Sequence, residues 1–216
     1  KGDFLLSKVK TIRGGEKLKV SETNKGLSQL KRLEDINFQI WNSDLTDISL
    51  VGFSQNKWVS LQRIVLKFAG CSQLTDTGIY FVTKGLRKLP NLQNFQLNIE
   101  ACPAFSSLGL HYIWKMMMSL PCLRGITLGL EDNYLKISDA VFYDLNKTLK
   151  GLASLEEINL RFFQCLEITD SGLTYLCQAL KRLNNLQSLY VDFDKCPNIT
   201  DIGMKELTDC MAHLTR

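Results

Sequence analysis

With 216 residues, 45% of them hydrophobic and 22% charged, the chain has the composition of an ordinary soluble globular protein, and it contains no run of 18 apolar residues that could span a membrane as a helix. Its net charge of +4 sits in residues 1–26, where seven Lys and Arg face only Asp3, Glu16 and Glu22. The rest of the chain is neutral overall, which argues against a nucleic-acid-binding body, since that needs basic residues clustered on one face, and the basic N-terminal run reads as a solvated segment.

Residues 1–32 admit two readings. The stretch NKGLSQLKRLEDINF (24–38) matches TKGLRKLPNLQNF (83–95), so Leu27 and Leu30 fall where Leu86 and Leu89 lie. On that reading a degenerate repeat places a helix over about 17–30. On the other, Gly14-Gly15 between two alternating runs marks the turn of a capping hairpin. No secretory signal pattern is present.

From Leu33 onward the chain repeats itself, and internal repeats govern everything else that can be read. The leucines Leu33, Leu61, Leu92, Leu123, Leu155 and Leu186 are separated by 28, 31, 31, 32 and 31 residues. Each opens a block such as Leu155-Ile158-Leu160-Phe162, whose period of two predicts a short strand with one buried face. Ten residues after the leucine stand Ser43, Cys71, Cys102, Asn133, Cys165 and Cys196. The period then becomes helical, as in Leu173, Leu176, Leu180 and Leu183 or Ile79, Val82, Leu86 and Leu89, which is one apolar stripe on a helix.

Between strand and helix lies a recurring phrase, as in CSQLTDTGI (71–79), CLEITDSGL (165–173) and CPNITDIGM (196–204). The Thr or Ser before Asp suits an N-cap, because its hydroxyl can accept from the free amides of the first turn. Asp47, Asp76, Asp139, Asp170 and Asp201 then fall at the positive end of each helix. Gly78, Gly109, Gly172 and Gly203 leave room for a neighbouring coil. In the first block the helical stretch ISLVGFSQNKW contains Gly, Ser and Asn, so a short or broken helix is expected there. The fourth block carries one extra residue between Asn133 and Ile137.

The pattern L-x-x-L-x-L-x-F-x-x-C/N-x-x-I-T-D-x-G-L over 33–216 resembles leucine-rich repeats, of the cysteine-containing and ribonuclease-inhibitor-like type. The resemblance implies an α/β solenoid, a horseshoe with parallel strands inside its arc and helices outside. Most repeats here have 31 residues against the usual range of roughly 20–29, which predicts full helices on the convex side. Since the chain starts at Lys1 and stops just before a further strand would begin, it reads as an excerpt of a longer protein. The resemblance further implies a protein-binding module or scaffold, possessing no enzymatic activity and no cofactor, within a larger assembly. Two rivals are the substrate receptor of an F-box-type ubiquitin ligase and a leucine-rich-repeat GTPase-activating protein, although no residue here matches a catalytic arginine.

Other candidate chemistry dissolves into this register. Cys71, Cys102, Cys165 and Cys196 form a line of rungs rather than a convergent metal site, and are expected to be buried and reduced. Cys122, Cys177 and Cys210 read as small buried hydrophobes. Unpaired buried cysteines point to a reducing, cytoplasmic setting, against which the sequons at Asn146 and Asn198 are weak evidence. His111 and His213 lie on outward helix positions in different blocks with no acidic or cysteine partner shared between them, and RGGEK (13–17) is not a phosphate loop. Ile113, Met117 and Leu120 continue the core stripe through the Met-rich stretch WKMMMS.

The strand positions between the buried ones line the inside of the arc. They are Asp35, Asn37, Gln39 and Trp41, then Arg63, Val65, Lys67 and Ala69, then Asn94, Gln96, Asn98 and Glu100, followed by Gly125, Thr127, Gly129 and Glu131, Glu157, Asn159, Arg161 and Phe163, and Ser188, Tyr190, Asp192 and Asp194. Six are acidic and three basic. Phe163 and Tyr190 are exposed aromatics of the kind enriched at interfaces. The predicted partner site therefore comprises Arg161, Phe163, Tyr190 and Asp192, flanked by Glu157 and Asp194.

Overall fold

The computed structural model describes residues 11–14, 32–41, 45–131, 137–149, 152 and 154–214. Seven strands form one parallel sheet in sequence order: β1 (Thr11–Gly14), β2 (Asp35–Trp41), β3 (Arg63–Ala69), β4 (Asn94–Glu100), β5 (Gly125–Glu131), β6 (Glu157–Phe162) and β7 (Ser188–Asp192). Register is exact from one repeat to the next, with Ile64 beside Phe95, Phe95 beside Ile126 and Ile126 beside Ile158. The repeating leucines set this register, because a one-residue slip would turn every apolar side chain outward. A 3-10 helix, Asp47–Gln55, follows β2, as expected for the broken first segment. Among the described residues five α-helices follow: α1 (Asp76–Leu86), α2 (Ser107–Met117), α3 (Ala140–Thr148), α4 (Asp170–Leu180) and α5 (Asp201–Leu214).

Strand alternating with helix, all strands parallel and none closing the sheet, makes this an α/β leucine-rich-repeat solenoid with helices on the convex side. One continuous core runs its length. Leu160, Leu176, Leu180 and Ile168 are fully buried, and each such leucine contributes about 1.5–3 kcal/mol by leaving water. Aromatics tie consecutive coils: Phe162 stacks on Phe193 at 5.7 Å, and Phe142 meets Phe162 edge-on at 5.0 Å. In the last coil Leu189, Val191 and Phe193 are only partly buried.

β1 pairs in parallel with β2, Thr11 beside Asp35. The helix expected over 17–30 and the extra residue after Asn133 lie outside the described residues, as do Ser43 and Asn133 themselves.

Four cap hydroxyls behave as the sequence suggests, whereas Thr46 makes no cap hydrogen bond and α3 starts after Asp139 rather than Ser138. Thr75, Ser106, Thr169 and Thr200 each accept from the amide two residues on, at 3.1–3.2 Å. The aspartates do more than sit at their own helix starts, since each reaches the next repeat. Asp47 accepts the Thr75 amide at 2.9 Å and its hydroxyl at 2.6 Å, and Asp76, Asp139 and Asp170 repeat this with Ser106, Thr169 and Thr200. The glycine three residues after the cap approaches the same carboxylate, with the Gly78 and Gly109 amides donating at 2.9 Å. A Cβ at either position would sit 2.6 Å from the aspartate oxygen, so glycine is required by the clamp.

The cysteines also act between repeats. The residue before each, Gly70, Ala101, Gln164 or Lys195, adopts positive φ of 65°, 48°, 60° and 56°. This turns the chain inward after the strand. The thiol then donates to carbonyls across the turn: Cys102 to Glu100 at 3.2 Å, and Cys196 to Phe162 of the preceding coil at 3.0 Å. The neighbouring Cys71 thiol and burial raise the Cys102 pKa; the Cys196 thiol and burial do the same to Cys165. Cys177, buried against Cys210, is pushed up to about 12.

One expectation needs correction: Cys122 is exposed rather than buried, because it lies in the loop after α2. His111 Nδ1 lies 2.8 Å from Asp144 on the next helix, a contact set by coil stacking rather than by local sequence.

Candidate functional site

Strand pleating aims alternate residues of β2–β7 into the arc, and the parallel register arranges them in transverse rows. One row runs Arg63, Asn94, Gly125, Glu157, Ser188, and the next Val65, Gln96, Thr127, Asn159, Tyr190. A third runs Lys67, Asn98, Gly129, Arg161, Asp192. Glu100 and Glu131 stand beside one another in a fourth.

The structure brings most of the predicted site together at β6 and β7. The Arg161 guanidinium lies 5.3 Å from the centre of the Tyr190 ring, a stacking geometry that attracts a cation to the ring face. A guanidinium nitrogen of Arg161 also approaches Glu131 at 3.8 Å. The Tyr190 hydroxyl points to Asp192 at 3.4 Å, and Asp192 in turn accepts the Asp194 amide at 3.0 Å. Tyr190 remains 47% exposed, so its edge is free to contact another molecule. Glu157, also exposed, stands beside Gly125 and Ser188 in the adjacent row.

Phe163 departs from expectation. It is half-buried, since Lys195 from the following turn lies over its ring at 4.6 Å. Its face is therefore covered by an alkylammonium and only part of the ring is available. Val65 is 2% exposed, and Gly125 and Gly129 are buried, although all three lie on the inner face. Neighbouring long side chains lean over them: the Asn94 side-chain oxygen and the Asn98 side-chain nitrogen occupy the space where the Cβ atoms of Gly125 and Gly129 would be. Trp41, 45% exposed, is a second large aromatic on this face. It appeared among the inward positions but stood without an aromatic neighbour in sequence, so nothing marked it out.

Between these rows lies a hollow of about 220 Å³ lined by Arg63, Asn94, Gly125, Glu157, Asn159 and Tyr190, with Gln96, Thr127 and Ser188 completing its wall. Among the described residues no three His, Cys, Asp or Glu side chains converge as metal ligands. No described helix is long and apolar enough to cross a membrane. The arrangement offers aromatic area, a partly neutralised arginine and an acidic rim.

No family model and no curated protein sequence matches the chain. Solved structures do. The C-terminal domain of tropomodulin from Caenorhabditis elegans matches with a TM-score of 0.52 at 11% identity, over 80% of this chain and 94% of that one. The Rad7 and Elc1 complex from yeast matches with a TM-score of 0.46 at 15% identity, over 97% of this chain and 64% of that one. A protein from Bacteroides fragilis gives 0.31 at 13% identity, over 91% and 71%. At such identities the first likeness is one of fold, and it agrees with the leucine-rich-repeat solenoid described above.

Proposed function

We propose that the chain is a non-catalytic protein-interaction module of the cysteine-containing, ribonuclease-inhibitor-like type, a scaffold part of a larger protein or assembly. It binds a protein partner on its concave face rather than nucleic acid or membrane, and uses no cofactor. The observation that carries this reading is the Arg161–Tyr190 stack, exposed on a rigid sheet and rimmed by Glu157, Asp192 and Asp194. Tyr and Arg dominate interface energetics where they are preorganised, and solenoids offer extended concave surfaces for such contacts. The acidic rim favours a basic or mixed-charge partner and hastens encounter at low salt. Six buried thiols suit a reducing, cytoplasmic compartment.

A photo-crosslinking amino acid placed at Tyr190, at Phe163 and at Tyr143 on the convex helix α3 tests the reading. Crosslinks to a defined partner from positions 190 and 163 are expected. Crosslinks from position 143 alone overturn it. With the same partner, Tyr190→Ala combined with Phe163→Ala is expected to weaken binding at least tenfold while leaving the melting curve unchanged.

A further inference from the structure

The concave-face reading says where a partner sits; the hollow over Gly125 says what it presents. We infer that this hollow receives the guanidinium of an arginine carried on an extended segment of the protein partner. The inference rests on the proposed function and adds a chemical identity to it.

The floor of the hollow is Gly125, with the Asn94 side chain leaning over it. Every other position in its row, Arg63, Asn94, Glu157 and Ser188, projects a side chain into the arc, and only Gly125 does not. What surrounds the gap is rich in acceptors. The Asn94 side-chain oxygen leans over Gly125 itself. The Glu157 carboxylate stands 3.7 Å from the Cβ position of Gly125 and pairs with no cation among the described residues. The side-chain oxygen of Asn159 is buried and accepts no hydrogen bond, which costs a polar group about 1–3 kcal/mol unless a donor arrives. Of the nearby cations, Arg63 lies 3.6 Å from Asp35 and Arg161 3.8 Å from Glu131, with the buried Arg161 Nε left without a hydrogen-bond partner.

A guanidinium answers this set. It brings five N–H donors in one plane and no acceptor, so it can satisfy a carboxylate and two amide oxygens at once. An ammonium is a compact point charge and serves such a planar set less well. The side chain needs no more room than the hollow gives, and the aromatic wall of Tyr190 is a favourable neighbour for a cation.

The test uses the isotopically labelled chain and capped pentapeptides with glycine on both sides of a central arginine, lysine or citrulline, followed by NMR. The arginine peptide is expected to shift the Gly125 amide and the Asn159 side-chain amide, binding at least fivefold more tightly than the lysine and citrulline peptides. Gly125→Val, whose side chain displaces Asn94 on the floor of the hollow, and Glu157→Gln, which keeps the shape and removes the charge, are each expected to weaken it at least fivefold. Glu157→Gln decides the matter if the valine variant does not fold. Equal affinity for lysine, or arginine binding unchanged in the folded variants, overturns the inference. So does free arginine amide binding as tightly as the peptide, which would make the hollow a small-molecule site. If crosslinks place a partner on the concave face and Glu157→Gln leaves its affinity intact, the arginine assignment falls and the proposed function stands; crosslinks confined to the convex helix remove both.

Discussion

Asp76 and Gly109 are 33 residues apart, and the amide of Gly109 donates to the Asp76 carboxylate at 2.9 Å. The same carboxylate also holds the amide and hydroxyl of Ser106, so one side chain caps the following repeat's helix and fixes its spacing from its own. The clamp recurs from Asp47, Asp139 and Asp170. Among the described junctions it is missing where Ser107 stands in place of the aspartate and accepts from the Ser138 amide at 3.2 Å. Position 141, the counterpart of the clamp glycine, is Val141. The two changes occur together because a Cβ at that position would collide with an aspartate oxygen.

That pairing predicts a coupling. Ser107→Asp alone is expected to destabilise the fold, because the new carboxylate meets Val141. Val141→Gly alone loses a buried side chain. The double variant is expected to be more stable than the sum of the two, by on the order of 1–3 kcal/mol. Urea unfolding of the four proteins in the cycle gives the number, and strict additivity would refute the account.

Acid should loosen the junction between α4 and α5 through Asp170. The Thr200 hydroxyl, then the Thr200 and Gly203 amides, hold the Asp170 carboxyl below the ordinary carboxylate range. A pKa lowered by folding stabilises the fold above the unfolded value, about 3.9, and that stabilisation is lost as pH falls through the folded value. The gap in urea midpoint between wild type and Asp170→Asn is therefore expected to narrow below about pH 4. A carboxyl NMR titration placing Asp170 at the ordinary value would contradict this.

Thiol chemistry should single out one cysteine. Cys71, Cys102, Cys165, Cys177, Cys196 and Cys210 are buried and Cys122 is exposed. Maleimide is expected to label the native protein once and rapidly, at Cys122, with Cys122→Ser abolishing the fast phase. Fast modification of any of the other six, read by mass spectrometry of peptides, would mean that the strand-to-helix turns open.

Core truncation should cost less in the last coil than in the middle. Leu180 is fully buried, so Leu180→Ala is expected to lose about 2–5 kcal/mol. Leu189 is only partly buried, and Leu189→Ala should lose clearly less. Equal losses in denaturant melts would show that the final coil is covered in solution.

The sequence by itself determined the repeat, its strand register, most of the N-caps and the apolar stripe of each helix. Leu155, Ile158, Leu160 and Phe162, or Thr169 and Leu173, report on structure within a few bonds of themselves, through pleat, helical period and capping geometry. The inner-face positions of Arg161, Tyr190 and Asp192 follow from the same alternation. Only the tertiary structure decided what each residue meets one coil away. The aspartates clamp helices 28–33 residues ahead, Lys195 covers Phe163, His111 finds Asp144, and Asn94 closes over Gly125. Those contacts depend on which side chains lie laterally adjacent once coils stack, and on how far long side chains lean across the rows. Local periodicity carries no record of that lean, because it is settled by the volume each neighbour leaves free.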